Sequence, residues 1–169
     1  MMDRVLSWSF ALALAGFLFF MSFQKVFGFD PNPVFGLIEA RSGISIFEPG
    51  VRYLVAVLEL VAAVLVVWPR MRIRGAQLGL LVALGAVAFH LSPWLGWQVP
   101  KLAPLSEALG RGLTAAQIDA LNLGTDHGAM FLLAATIAAL AAASIFVERS
   151  QAQAKSSGTA TPPPRASFA

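Results

Sequence analysis

Val51-Arg52-Tyr53-Leu54-Val55-Ala56-Val57-Leu58-Glu59-Leu60-Val61-Ala62-Ala63-Val64-Leu65-Val66-Val67-Trp68-Pro69-Arg70-Met71-Arg72-Ile73-Arg74 is the stretch on which the fold turns. From Val51 to Trp68 it is apolar save for Arg52 at its start and Glu59 near its middle. Pro69 stops it, and Arg70, Arg72 and Arg74 follow at once. A helix of about 20 apolar residues crosses the ~30 Å hydrocarbon core of a bilayer. Arginines packed against one end mark the side that stays in the cytoplasm.

The same pattern repeats on either side. Downstream, Gly75 to about Leu91 is a second apolar run, closed by Ser92-Pro93-Trp94-Leu95-Gly96-Trp97, whose Trp94 and Trp97 suit an interfacial aromatic belt. Upstream, Val5 to Phe23 is nearly all Phe, Leu and Ala. Arg4 before it resembles the start of a signal peptide, but the run is too long for an h-region and no small-x-small cleavage site follows, so it reads as a retained helix. A fourth run, rich in alanine, extends from His127 to about Val147. The whole chain is 57% hydrophobic and 12% charged, against about 25% charged for a soluble domain. One core in water does not hide that much apolar surface. The expectation is an all-α membrane protein, a four-transmembrane-helix bundle over residues 1–149 with spans near 5–23, 51–68, 75–91 and 127–147.

Two longer connections carry short helices expected to lie in the interface. Asn32-Pro33 starts one, with Pro33 at its first position, and Gly43 ends it. Phe35, Leu37 and Ile38 make it apolar. Within Gln98–Thr125, Thr114-Ala115-Ala116-Gln117 is a capping box that opens another, running to about Asn122. From Glu148 onward the chain holds Gln, Ser, Thr and Pro162-Pro163-Pro164, and residues 150–169 are expected to form a disordered cytoplasmic tail.

Charge sets the orientation. Arg4, Arg70, Arg72, Arg74, Arg149, Lys155 and Arg165 fall on one side; Lys25, Arg41, Arg52, Lys101 and Arg111 are spread over the two long connections on the other. The positive-inside rule puts the first set, with both termini, in the cytoplasm of a bacterial inner membrane. The basic residues sit at span ends rather than on one polar face, which is no case for nucleic acid. The chain has no cysteine, which excludes disulfides, thiol relays and thiolate-held iron–sulfur centres. No motif for haem, nucleotide, metal or a nucleophile elbow is present.

The chemistry of interest lies where polar residues enter the spans. An ionised Glu59 at mid-span costs several kcal/mol, so it faces other helices and either pairs with a cation or stays protonated. Helical spacing aligns Ala11, Ala15, Leu18, Ser22 and Lys25 on span one. It aligns Arg52, Ala56, Glu59 and Ala63 on span two, Gly75, Gly79, Ala83, Ala86 and His90 on span three, and His127, Met130, Ala134, Ala138 and Ala141 on span four. Each stripe is mostly small residues, which let helices pack closely in lipid. If all four face inward, Lys25, Glu59, His90 and His127 ring one outward-opening pocket, with Arg52 and Asp126 nearby. Structural readings stand beside this one. Glu59 pairs with Lys25 or Arg52 simply to hold helices, His90 is an interfacial hydrogen-bonded histidine, and His127 lies at the surface. Gly75-x-x-x-Gly79 is also a pattern of helix dimer faces.

Phe47-Glu48-Pro49-Gly50-Val51-Arg52-Tyr53, Glu59-Leu60-Val61-Ala62-Ala63-Val64-Leu65, Pro69-Arg70, Gly75-Ala76 and Gly85-Ala86-Val87-Ala88-Phe89-His90-Leu91-Ser92-Pro93 resemble the DoxX-like family of small bacterial membrane proteins, over about Lys25 to Trp97. The resemblance implies an inner-membrane four-helix protein. Some relatives are associated with sulfur oxidation coupled to quinone and others with oxidative-stress complexes. Lys25 and Glu59 match the family's recurring charged positions.

Together these readings lead to a redox-associated accessory subunit with a quinone-like or other small apolar ligand, beside a membrane or periplasmic redox protein. Glu59 and His90 meet the ligand's carbonyls and Lys25 sets the carboxylate's charge. No complete catalytic motif makes it an enzyme by itself. The alternative is a non-enzymatic scaffold that binds a partner; a small transporter fits less well. On this topology, a reporter fused after Ser156 reads cytoplasmic and one inserted near Ala108 reads periplasmic. The opposite pair of readings would reverse the orientation.

Overall fold

The computed structural model describes residues 2–158 of the chain. Four helices in it are long and apolar enough to cross a membrane, and no strand forms among the described residues. The long helices are α1 (Met2–Phe27), α3 (Arg52–Val67), α4 (Arg72–His90) and α7 (Ala129–Gly158); the short ones are α2 (Pro33–Ser42), α5 (Leu102–Gly110) and α6 (Ala115–Ala120). α1 packs on α3 and α7, and α4 packs on the same two from the other side. Their shared core is built from small and branched residues: Ala11, Leu14 and Leu18 of α1, Ala62 and Val66 of α3, Ala76 and Ala83 of α4, and Ile137 and Ala141 of α7. The outward faces are apolar as well. Val57, Leu81 and Phe146 are 57%, 69% and 72% exposed, an arrangement that is stable only where the surroundings are lipid. This is a membrane protein.

Three of the four long helices run past an end expected of them, while α3 matches its expected span to within a residue at each end. α1 continues through Phe27, so Lys25 stands in its last helical turn. α4 starts at Arg72, whose Nε donates to the Val66 carbonyl at 3.0 Å across the hairpin. α7 does not stop near Val147 but continues to Gly158, which corrects the expectation of a structureless chain from residue 150. The physical reason is local: Glu148 is held by Arg72 at 2.9 Å, and Glu, Arg, Gln and Ala in this stretch are good helix formers. The rest of the expected tail, 159–169, lies outside the described residues.

The two connections differ most from expectation. They pack on each other over the end of the long helices opposite the termini, where Leu37 and Ile38 of α2, Leu95 and Val99 of the segment between α4 and α5, Leu105 and Ala108 of α5, and Ile118 of α6 form a second apolar core. α2 is thus largely buried beneath α5 rather than laid separately in the interface. Its caps are as expected: the Asn32 side chain accepts from the N–H groups of Val34 and Phe35, and Gly43 closes the helix in the left-handed region at φ 73°. Thr114 and Gln117 form the capping box of α6. α5 was not foreseen, although Leu102, Leu105, Ala108 and Leu109 carry the helical period that would have marked it. Arg41 ties the cap together, pairing with Asp119 at 2.7 Å and donating to the carbonyls of Trp94 and Leu95.

Glycines in the long helices separate contact from open space. Gly75 lets α4 lie directly on α3: a Cβ there stands 2.5 Å from the Val66 nitrogen. Gly79 faces Leu18 of α1, so the Gly75–Gly79 pair serves packing within the chain. A Cβ on Gly16 meets nothing within 4 Å. Gly75→Ala therefore forces two backbones apart and is expected to cost roughly 1–3 kcal/mol. Gly16→Ala gains roughly 0.5–1 kcal/mol from the helix preference of alanine. Thermal unfolding in detergent measures both, and equal midpoints would contradict the close approach of α3 and α4.

Candidate functional site

Near the cap, the four long helices enclose a cavity of about 410 Å³, within the roughly 300–1,000 Å³ of small-molecule sites. Its walls are mainly apolar: Leu18 and Met21 of α1, Val55 and Leu58 of α3, Phe89 of α4 and Leu133 of α7 take part, and Val34 and Phe35 of α2 help roof it. Three ionisable side chains enter it: Lys25, Glu59 and His90.

Lys25 and Glu59 form a buried ion pair. The ammonium lies 2.8 and 2.9 Å from the two carboxylate oxygens, and both side chains are almost wholly buried. Lys25 also reaches the Met21 carbonyl of its own helix at 3.4 Å. One turn back along α1, Ser22 Oγ donates to the Ala56 carbonyl at 2.8 Å. These bonds set the register of α1 against α3, because in hydrocarbon no water supplies an alternative partner.

His90 closes α4 and is buried. Its Nδ1 lies 3.0 Å from the Gly96 carbonyl oxygen. A carbonyl only accepts, so Nδ1 carries the proton and Nε2 is left to meet whatever enters the cavity. The ring rests edge-on against Phe131 of α7 at 5.9 Å. The hydrogen bond ties the last turn of α4 to the loop that begins the cap.

The other sequence candidates fall outside the cavity. Arg52 is buried but turned away, pairing with Glu48 at 2.9 Å and Asp30 at 3.2 Å and lying over the Tyr53 ring at 4.5 Å. It anchors the start of α3 to the connection above. His127 is exposed, with left-handed backbone at φ 54°, and lines no part of the cavity. The inward turn of span four thus begins at Met130, which does line it. Asp126 is structural: its carboxylate accepts from the N–H groups of Val99, Gly128 and Met130, each at 2.9 Å, joining the cap to the first turn of α7. Burial pushes its carboxyl up, but those three donors and the nearby His90 outweigh burial and hold it below the ordinary aspartate range.

Two features escaped the sequence reading. Gln24 and Asn32 also line the cavity, and Gln24 adjoins Lys25 in sequence without any pattern that singles it out. At the opposite end, Arg72 is buried and gathers Ser7, Glu148 and the ring of Trp8, 4.3 Å from its guanidinium carbon. Ionisable groups thus lie at both ends of the helices. Between them Ala11, Leu14, Leu18, Ala62 and Val66 leave only apolar packing. Ser7 and Ser22 are about 22 Å apart along α1 at 1.5 Å per residue, so the two polar sets do not join into a path.

Among the described residues, no group of three His, Cys, Asp or Glu side chains is placed to hold a metal ion. The site presents a polar cluster at one wall of an apolar chamber: ammonium donors, carboxylate acceptors and one imidazole nitrogen. No family model, curated protein or solved structure matches the chain.

Halving the central ion pair strands a charge in a poor solvent. Lys25→Met is expected to cost about 3–5 kcal/mol, whereas adding Glu59→Leu to it restores most of the loss. Thermal unfolding of the single and double variants in detergent measures this. A double variant as unstable as the single would mean that the pair itself holds the helices.

Proposed function

We propose that this chain is a four-helix transmembrane bundle of the bacterial inner membrane, with both termini cytoplasmic, that binds a small apolar quinone-like molecule in the chamber beneath its outer cap. The observation that carries this reading is the entry of Lys25, Glu59 and His90 into one otherwise apolar cavity. A quinone needs such a chamber: flat apolar surface for its ring, and donors for its two carbonyls. The Lys25 ammonium donates to a carbonyl, while Glu59 and the bare His90 Nε2 accept from the hydroxyls of the reduced form. Orientation rests on the arginines between α3 and α4, and the resemblance to the DoxX-like family points the same way. The protein then acts as a redox-associated accessory subunit, with electrons entering from a membrane or periplasmic redox partner.

A scaffold reading has its own support: both Glu59 oxygens already bond Lys25, as a purely structural pair requires. The apolar layer between the two polar ends gives no comparable support to a transporter.

Purification in mild detergent, followed by lipid extraction and mass spectrometry, tests the choice. Wild type is expected to retain quinone stoichiometrically. Glu59→Gln keeps shape and most hydrogen bonding but lacks the charge that holds Lys25 in place. It is expected to fold with a lowered unfolding midpoint, because the Lys25 charge loses its counter-ion, and to lose most of the bound quinone while still folded. Retention of a stoichiometric protein with no quinone, or a Glu59→Gln variant that keeps its ligand, would favour the scaffold.

A further inference from the structure

We infer that the chamber opens sideways into the lipid between α3 and α4, and that its ligand is an amphiphile whose polar head meets Lys25, Glu59 and His90 while its apolar chain leaves through that cleft. The inference rests on the chamber being a ligand site and adds the route and the class of molecule.

The two helices converge at the end that carries the termini. There Gly75 brings α4 onto the backbone of Leu65 and Val66, and Arg72 bonds the Val66 carbonyl. Ten residues further along α4, about 15 Å at 1.5 Å per residue, the outer edge of this side is open: a Cβ on Gly85 meets nothing within 4 Å. Gly85 nonetheless lines the chamber, as do Leu81 and Val82 beside it and Val55 and Leu58 across from it on α3. Leu81 is also 69% exposed. The same side chains therefore form both chamber wall and outer surface, as at an opening.

The chemistry of the opening selects what passes. Every one of those residues is apolar, so a charged or strongly hydrated solute finds no hydrogen bond on the way in. From the water side, the cap covers the chamber with α2, whose buried Leu37 and Ile38 pack against Leu95 and Leu105. A second exposed stretch of wall, Phe20 and Gln24 on α1, lies on another helix and carries a polar amide. It supplies the rival route. The α3–α4 cleft is the one that suits a hydrocarbon chain along its whole length, with the hydrogen-bonding groups only at its inner end.

Filling the cleft tests this. Gly85→Leu places its side chain in open space, so the fold is retained. Gly16→Leu, also in open space but on α1 away from the chamber, is the control. Binding of a decyl-substituted benzoquinone and of the same ring carrying only methyl groups is measured for wild type and both variants in lipid nanodiscs. Gly85→Leu is expected to weaken the decyl compound by about tenfold or more, the scale on which an apolar pocket discriminates shape, while the short compound binds as to wild type. Gly16→Leu is expected to change neither. Undiminished decyl binding by Gly85→Leu overturns the cleft and favours the α1 side, leaving the chamber as a site. Equal loss of both compounds, or the same loss in Gly16→Leu, also overturns it. Failure of wild type to bind either compound removes the quinone site itself and the inference with it.

Discussion

A lone charge in hydrocarbon costs several kcal/mol, and the arrangement of this protein follows from how Lys25 and Glu59 meet that cost together. Each lies on a helix long enough to span the membrane, with its polar end aimed inward at a partner 2.8 Å away. Two helices that share such a pair cannot slide or rotate freely, because a shift of one residue swings a side chain by about 100° and separates the charges. The Ser22 bond to the Ala56 carbonyl repeats the constraint one turn away. Once α1 and α3 are in register, their small-residue stripes face the same interior, and α4 and α7 complete the core on the opposite side.

The other end obeys the same rule with different residues. Arg72 starts α4 yet is buried, so it needs Glu148, Ser7 and the Val66 carbonyl around it. That cluster draws all four long helices together and holds α7 beyond the apolar run. One end of the hairpin between α3 and α4 is therefore drawn tight, by Arg72 and by the backbone contact at Gly75. At the other end α3 and α4 are held from above, through Arg52 to Glu48 and Asp30 and through His90 to Gly96. Between the close contact at Gly75 and the cap, the helices enclose the chamber. Its polar wall, Lys25, Glu59 and His90, lies toward the cap.

Much of this was legible in the sequence because lipid makes strong rules. Apolar runs ended by Pro69 and by Ser92-Pro93 marked α3 and α4 to within a few residues. The three-and-four spacing put Lys25, Glu59 and His90 on inward faces, where they are found. Arg52 and His127 were less legible for a common reason: near a span end, water, connections and neighbouring helices all compete to satisfy a charge. Arg52 found Glu48 and Asp30 in a connection whose path no periodicity describes, and His127 turned outward as the chain entered α7. The cap was the least legible part. Its core joins residues from connections far apart in sequence, Leu37 to Leu105 and Arg41 to Asp119, and such pairings leave no local period. Arg72 was read only as a marker of the cytoplasmic side, since a basic residue at a span end serves that role whether it is buried or not.

A buried ion pair is a poor device for stability alone. Removing two ions from water costs about as much as their attraction returns, and a pair of apolar residues of similar volume fills the same space at no such cost. What Lys25 and Glu59 provide that leucines do not is a fixed dipole in a medium of low dielectric, where a hydrogen bond to a ligand is worth more than in water. Each Glu59 oxygen keeps a lone pair after bonding Lys25, and the His90 tautomer set by Gly96 leaves a second nitrogen facing the same space. On the proposed reading, a polar head arriving from lipid has no water to compete for it and finds its hydrogen-bonding partners gathered at this one depth. The apolar layer below, from Leu18 to Leu14 and Ala11, gives it no reason to go further. The pair thus sets the register of the helices and, in the proposed site, the depth at which a ligand comes to rest.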